Sequence, residues 1–274
     1  MKDKVFKVIT ISVVVIIAAC CLFPFLHVLA VSFSDKTAVI RGEVLLWPQS
    51  FKLSAYKAVF NNKGLMDSMW FTLILTVVYT VFSLIMTILC AYPLSYPGLK
   101  FKSPILLYIL FTMYFSGGMV PYYLQLKNLG MLDHFIVYII PGMLNVYYMI
   151  LIRSYIYGIP ESLVESAKLD GANDLWVYGR IILPLSKPVV MTIVLFASIG
   201  HWNAWFDSRL YTNSMNLKTL QLVLVEILNQ FQTSGTNGAT LAQRAQMMSG
   251  VTQKSVQMAA VMVATIPIIC VYPF

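Results

Sequence analysis

Residues able to do chemistry are few in this chain, and they are scattered. His27, His134 and His201 fall on separate segments, and His201 and Asp207 are not spaced as a tight acid–base pair. No H-E-x-x-H zinc pattern, G-x-S-x-G elbow or G-x-x-x-x-G-K-[ST] phosphate loop occurs. What does recur is a set of aromatic and hydrogen-bonding side chains within apolar stretches or at their ends: Tyr114, Asn145, Tyr147, Tyr148, Trp202, Asn203, Trp205 and Asp207. A sugar ring has polar edges and apolar C–H faces, so these side chains could line its path. The same types also anchor helices at a membrane interface or bond neighbouring helices. Trp202, Asn203 and Asp207 stand out because they cluster near the end of one stretch.

The elements that must position these residues are apolar. Hydrophobic residues make up 59% of the 274 and charged residues only 11%, against about 25% charged in a soluble domain. Mean hydropathy is +0.76, so a bilayer must cover what polar side chains cannot. Six apolar stretches, at about 5–33, 69–96, 104–126, 135–157, 189–206 and 255–274, each approach the ~20 residues a spanning helix needs. They predict an all-α membrane protein of six transmembrane helices in a single domain, 1–274. Pro24, Pro93, Pro121, Pro141 and Pro267 fall in or near these stretches and predict kinked helices packed in a bundle. Strands are excluded because the stretches are too long and do not alternate.

The net charge of +8 is spread over loops rather than gathered in a nucleic-acid-binding stripe. Lys2, Lys4, Lys7, Lys100, Lys102, Arg153, Lys168, Arg180 and Lys187 occupy the shorter connecting segments, which places both termini in the cytoplasm. Cys20, Cys21, Cys90 and Cys270 lie in apolar runs and serve as small packing residues. The first stretch is too long for a signal-peptide core and is expected to remain as a span.

Between the fourth and fifth stretches lies a cytoplasmic loop, 158–188. Pro160 and Glu161 suit a helix start, and Asp170-Gly171 suits its stop. Asn173 can cap a second helix with Trp176, Val177, Arg180 and Ile181 on one side, ended by Leu183-Pro184. An amphipathic connector resting on the membrane would look similar. A helix–glycine–helix knob, however, can also fill a partner's groove and turn its motion into helix rotation.

The loop carries a resemblance as well. Glu165-Ser166-Ala167, Asp170-Gly171-Ala172, Ile182-Leu183-Pro184 and Pro188 resemble the EAA loop of binding-protein-dependent ABC importer permeases, with Ser166 in place of the usual alanine and Tyr178 where phenylalanine is common. Phe115–Leu124, Leu129–Asp133 and His201–Phe206 resemble the carbohydrate branch, within it the subgroup for complex oligosaccharides such as alginate or pectin fragments. The resemblance implies a type I importer fold in the bacterial cytoplasmic membrane. The implied partners are a second permease subunit, an extracytoplasmic solute-binding protein, and two cytoplasmic ATPase subunits that carry ATP and Mg. It assigns ATPase coupling to Glu165, Ala167, Asp170, Gly171, Ala172, Leu183 and Pro184. The substrate pathway would draw on Tyr114, Asn145, Tyr148, Trp202, Asn203, Trp205 and Asp207. Rivals are a permease for another solute and an ion-driven carrier; the scarcity of carboxylates in the spans and the lack of an internal repeat weigh against the carrier.

Overall fold

The computed structural model describes residues 2–96, 98–234 and 252–271, and all regular structure among them is helical. The long helices are α1 (Lys2–Ser32) and α4 (Lys63–Ser95), with the short α2 (Lys36–Arg41) and α3 (Ser54–Phe60) between them. Then follow α5 (Lys102–Tyr114), α6 (Met119–Asn128) and α7 (Val146–Tyr157). The loop holds α8 (Glu161–Leu169), α9 (Asp174–Val177) and α10 (Leu183–Leu185). The chain continues through α11 (Lys187–Trp202), α12 (Phe206–Tyr211), α13 (Leu220–Ser234) and α14 (Gln253–Val271).

Residues divide into two compact units, Met1–Met69 with Leu220–Phe274, and Trp70–Thr219. In the first, α14 packs on α1, α3 and α13. The segment after α1 folds into a small cap. Phe33 stacks on Phe51 at 4.9 Å and on Tyr56 at 4.7 Å. Asp35 caps α2, accepting from the Thr37 amide and hydroxyl, and also holds the Lys52 ammonium at 2.5 Å. The Lys52 contact, with those from Thr37, holds the Asp35 carboxyl well below the usual range.

In the second unit one core joins Ala91 and Leu94 of α4 to Met149, Ile152 and Ile156 of α7 and to Ile193 of α11. Another gathers Leu75, Leu126, Val137, Tyr138 and Tyr211. Tyr138 finishes that core with its hydroxyl, which donates to the Leu217 carbonyl at 2.7 Å. The α4 face that carries Leu75 and Ala91 also buries Thr72, Thr76, Thr80, Ser83 and Thr87.

Among the described residues three helices, α1, α4 and α14, are long and apolar enough to cross a membrane by themselves, and up to five spans result if each of two bent pairs counts as one. The stretch 104–126 is therefore not the single straight helix expected. It breaks at Phe115–Gly118, and α5 and α6 meet at 109°. Gly118 adopts φ +91, a conformation that β-carbon sterics deny to other residues. The stretch 135–157 also divides, into a 3₁₀ turn at Phe135–Tyr138 and a helix that starts only at Val146. Pro141 cannot donate to a helical ladder, and the Gly142 carbonyl accepts from the Tyr79 hydroxyl at 2.8 Å. At 12 residues, α7 is about 18 Å long, short of the ~30 Å of a hydrocarbon core. Elsewhere helices run through Pro24, Pro93 and Pro267. The sequence also predicts two short interfacial helices flanking the polar stretch from Thr233, at Leu217–Phe231 and 241–248; the first is α13, and the second lies outside the described residues.

Candidate functional site

The loop after α7 forms the knob that its residues predict. Glu161 opens α8 in the first turn, where a carboxylate favours the dipole, and Lys168 closes it in the last. Gly171, at φ +85, then turns the chain; the amide N–H of Gly171 donates to the Lys168 carbonyl and that of Ala172 to the Ala167 carbonyl. Asn173 caps α9, its side-chain oxygen accepting from the Trp176 amide at 2.8 Å.

Two details differ from expectation. Trp176, Val177, Arg180 and Ile181 do not share a side: Val177 is fully buried and Ile182 nearly so, whereas Trp176 and Arg180 face outward. The cause is a π turn over Tyr178–Ile182, where the Leu183 amide donates to the Tyr178 carbonyl five residues back. A five-residue turn brings 177 and 182 to one face, which a 3.6-residue period does not. The second is a single residue: the helix that Leu183-Pro184 is expected to end stops just after them, at Leu185, before α11 begins. The wider turn relieves the clash between the proline ring and the carbonyl four residues back.

Ala167, Val177 and Ile182 hold the knob to the α4–α7–α11 core. Between α8 and α9 opens a concavity of about 580 Å³ whose lining includes Ala167, Asp170, Gly171, Ala172 and Trp176. Four of the seven residues assigned to coupling therefore meet in one place. Glu165 is exposed on α8 away from that lining, and Leu183 and Pro184 lie on the exit turn towards α11. Leu169 and Leu175 are 88% and 81% exposed on the knob, beside a half-exposed Trp176.

The residues expected to line a pathway are carried by several elements, from α5 to α12. Tyr114 is 82% exposed at the end of α5. Asn145 is the N-cap of α7, accepting from the Tyr148 amide at 3.2 Å. Asn203 closes α11 and donates to the Ile199 carbonyl at 2.9 Å. Trp202 is buried, while Trp205 is exposed and packs edge-on against Phe206 at 5.9 Å. Asp207 is half-buried on α12, and burial pushes its carboxyl up.

Other residues prove more instructive. Tyr79 stacks flat on His201 at 4.0 Å, and His201 Nε2 has no hydrogen-bond partner among the described residues. The same holds for the buried hydroxyls of Thr76, Thr80 and Thr87 on α4. Their spacing, 72-76-80 and 83-87, is a helical hydroxyl stripe visible in the sequence. Asp133, at φ 58, accepts from the Asn213 and Ser214 amides at 2.9 and 2.8 Å and from the Ser214 hydroxyl at 2.6 Å. Those bonds, Ser214's first, lower its pKa.

Residues 53–274 match the family model described as "Binding-protein-dependent transport system inner membrane component". The chain belongs to this family. Among its relatives is the polygalacturonan/rhamnogalacturonan transport system permease protein YtcP of Bacillus subtilis, 36% identical over all of this chain and 94% of the relative. Protein LplC of the same organism is also 36% identical, over 99% of this chain and 90% of its own. A crystal structure of a bacterial ABC transporter that imports the acidic polysaccharide alginate matches with a TM-score of 0.92 at 32% identity, covering 100% of this chain and 96% of that one. The fold is that of an ABC importer permease, and the chain is a transport component rather than an enzyme.

Proposed function

We propose that this chain forms half of the translocation pathway of an ABC importer for oligosaccharides, of the acidic kind derived from pectin or alginate, and that loop 158–188 couples it to a cytoplasmic ATPase. The observation that carries the coupling role is the knob itself. Two short helices joined through Gly171, the second capped by Asn173, leave apolar Leu169, Leu175 and Trp176 exposed beside a hollow lined by both apolar and polar residues. Solvent exposure of three large apolar side chains at about 25 cal/mol per Å² is unfavourable. A partner groove removes that cost and gains a shaped contact. The substrate reading is supported by the carbohydrate relatives and by the alginate importer, whose fold this chain shares over its full length.

In this scheme six spans lie in the bacterial cytoplasmic membrane with both termini inside. A second permease subunit completes the path, two ATPase subunits carry ATP and Mg, and a solute-binding protein delivers substrate from outside. Glu165, Ala167, Asp170, Gly171, Ala172, Leu183 and Pro184 serve the ATPase contact. Tyr114, Tyr148, Trp202, Trp205 and Asp207 serve the sugar path, together with Asn145 and Asn203 beyond their capping roles. The test is uptake of labelled trigalacturonate by vesicles holding the complete complex. Uptake that needs ATP, stops with vanadate and ignores an uncoupler is expected. Uptake abolished by the uncoupler but indifferent to ATP would make the chain an ion-driven carrier, and ATP-driven uptake of another solute alone would reassign the substrate.

A further inference from the structure

The knob has to pass its motion to a membrane helix, and the structure shows one polar joint at which it could. Lys168, in the last turn of α8, places Nζ 2.9 Å from Oδ1 of Asp174 at the start of α9. The same ammonium donates to the Tyr96 hydroxyl at 3.2 Å and lies 4.8 Å over that ring, just beyond the end of α4. Tyr92, one turn earlier, donates its hydroxyl to the Asp174 carbonyl at 3.3 Å and packs on the Tyr178 ring at 4.5 Å. One side chain thus ties both arms of the knob to a single helix end.

That helix end is itself held. Arg153 of α7 donates through Nε to the Leu94 carbonyl at 3.0 Å, and Lys102 of α5 donates to the Ser95 and Tyr96 carbonyls at 3.3 and 3.5 Å. These are the last carbonyls of α4, which have no partner within the helix and favour cations. A hollow of about 250 Å³ lined by Tyr92, Tyr96, Glu161 and Val164 separates α8 from α4 beside the joint. Beside this hollow the polar contacts supplement apolar packing, since Tyr92 of α4 and Val164 of α8 both pack against the shared core. The apolar attachment through Ala167, Val177 and Ile182 reaches the same hollow, which Ile182 also lines.

An isolated surface ion pair contributes little. This one is not isolated: the ammonium meets the Asp174 carboxylate and both the hydroxyl and the ring face of Tyr96, and the bonds to Asp174 and then Tyr96 hold its pKa above the ordinary lysine range.

We propose that Lys168 is a positioning residue that locks α8 and α9 into one body and fastens that body to the end of α4, so that displacement of the knob becomes displacement of α4. The inference rests on the loop being the ATPase-coupling element. It is tested in the complete reconstituted complex on a cysteine-free background, with spin labels at the exposed positions Ser162 of α8 and Leu89 of α4. With Lys168 present, the distance between labels keeps the same narrow distribution with and without ATP–vanadate. In Lys168→Met it broadens or shifts on ATP–vanadate, and Lys168→Arg restores it. Should Lys168→Met fail to assemble, Asp174→Asn removes the same ion pair and is expected to broaden the distribution equally. A distribution that changes with nucleotide when Lys168 is present, or one that stays narrow in Lys168→Met or Asp174→Asn, overturns the proposal. Co-purification of the ATPase subunits with Gly171→Trp separates the two levels: its retention refutes the coupling reading itself, whereas its loss leaves that reading standing and the label distances decide the role of Lys168.

Discussion

At the scale of single residues, Gly171 and Asp133 show backbone geometry setting what a side chain can be. A β-carbon at Gly171 would meet nothing within 4 Å, so space is not the restriction; φ +85 is. Forcing an L-residue into that region costs about 1–2 kcal/mol, and a β-branched one more. Gly171→Val is therefore expected to impair ATP-driven uptake while leaving membrane insertion at the wild-type level, measured by carbonate-resistant membrane content beside uptake. Wild-type uptake would remove the turn from the coupling mechanism. Asp133 adopts φ 58, a region that Asp visits more readily than most L-residues, and its carboxylate accepts from the distant chain that follows α12. Its folded pKa is depressed, so its contribution is complete above the unfolded carboxylate value of about 3.9 and is lost as pH falls through the lower folded value. Thermal unfolding should therefore separate wild type from Asp133→Ala most widely at neutral pH. The gap should close in acid; a gap independent of pH would mean that the carboxylate charge plays no part.

At the scale of elements, α4 carries a cost that it does not recover within the described residues. Thr76, Thr80 and Thr87 bury hydroxyls without partners, each a penalty of about 1–3 kcal/mol. Thr80→Val keeps the shape and removes the hydroxyl, so it is expected to leave the melting temperature unchanged or higher. A lower one, by differential scanning fluorimetry, would mean that the hydroxyl has a partner in the assembled protein. This stripe, like the cap at Asn173, was open to reading in the sequence, because spacing and residue type together define it. Helix starts and stops in the knob were legible for the same reason: Pro160, Glu161, Gly171 and Asn173 each act within one turn. The π turn was not, since a change from a four- to a five-residue hydrogen bond leaves no mark on composition, and it alone moved Val177 and Ile182 inward. The bend at 115–118 was legible only in part. Ser116-Gly117-Gly118 with Pro121 signals a break, but the apolar residues on its two sides together make a run of spanning length, 104–126, that outweighs it in a window average. Asn145 and Asn203 were candidates for sugar contact by chemistry, and the structure engages both with backbone at helix ends. Side-chain type alone could not separate those roles.

At the scale of the whole molecule, the clearest demand is that something cover α1. From Val5 to Leu26 its large apolar residues are exposed, including Phe6, Ile11, Ile16 and Phe25, and only the last turns, from Ala30, are buried. No polar face runs along this helix, so water cannot be the covering medium: a helix apolar on every side lies in a protein core or in a bilayer. The chain's own packing meets α1 near its C-terminal end, where Ala30 and Val31 join Ala38, Val39 and Val44. Cys20 and Cys21 sit within the exposed stretch and provide native reporters. A thiol in hydrocarbon is reached poorly by a charged reagent, because neither the reagent nor the thiolate it needs is stable there. A membrane-impermeant maleimide is thus expected to leave both cysteines unlabelled in intact and in inverted vesicles, and to label them once the membrane is dissolved in a denaturing detergent. Labelling from either face of an intact membrane would place this part of α1 in water, and the six-span arrangement would lose its first member.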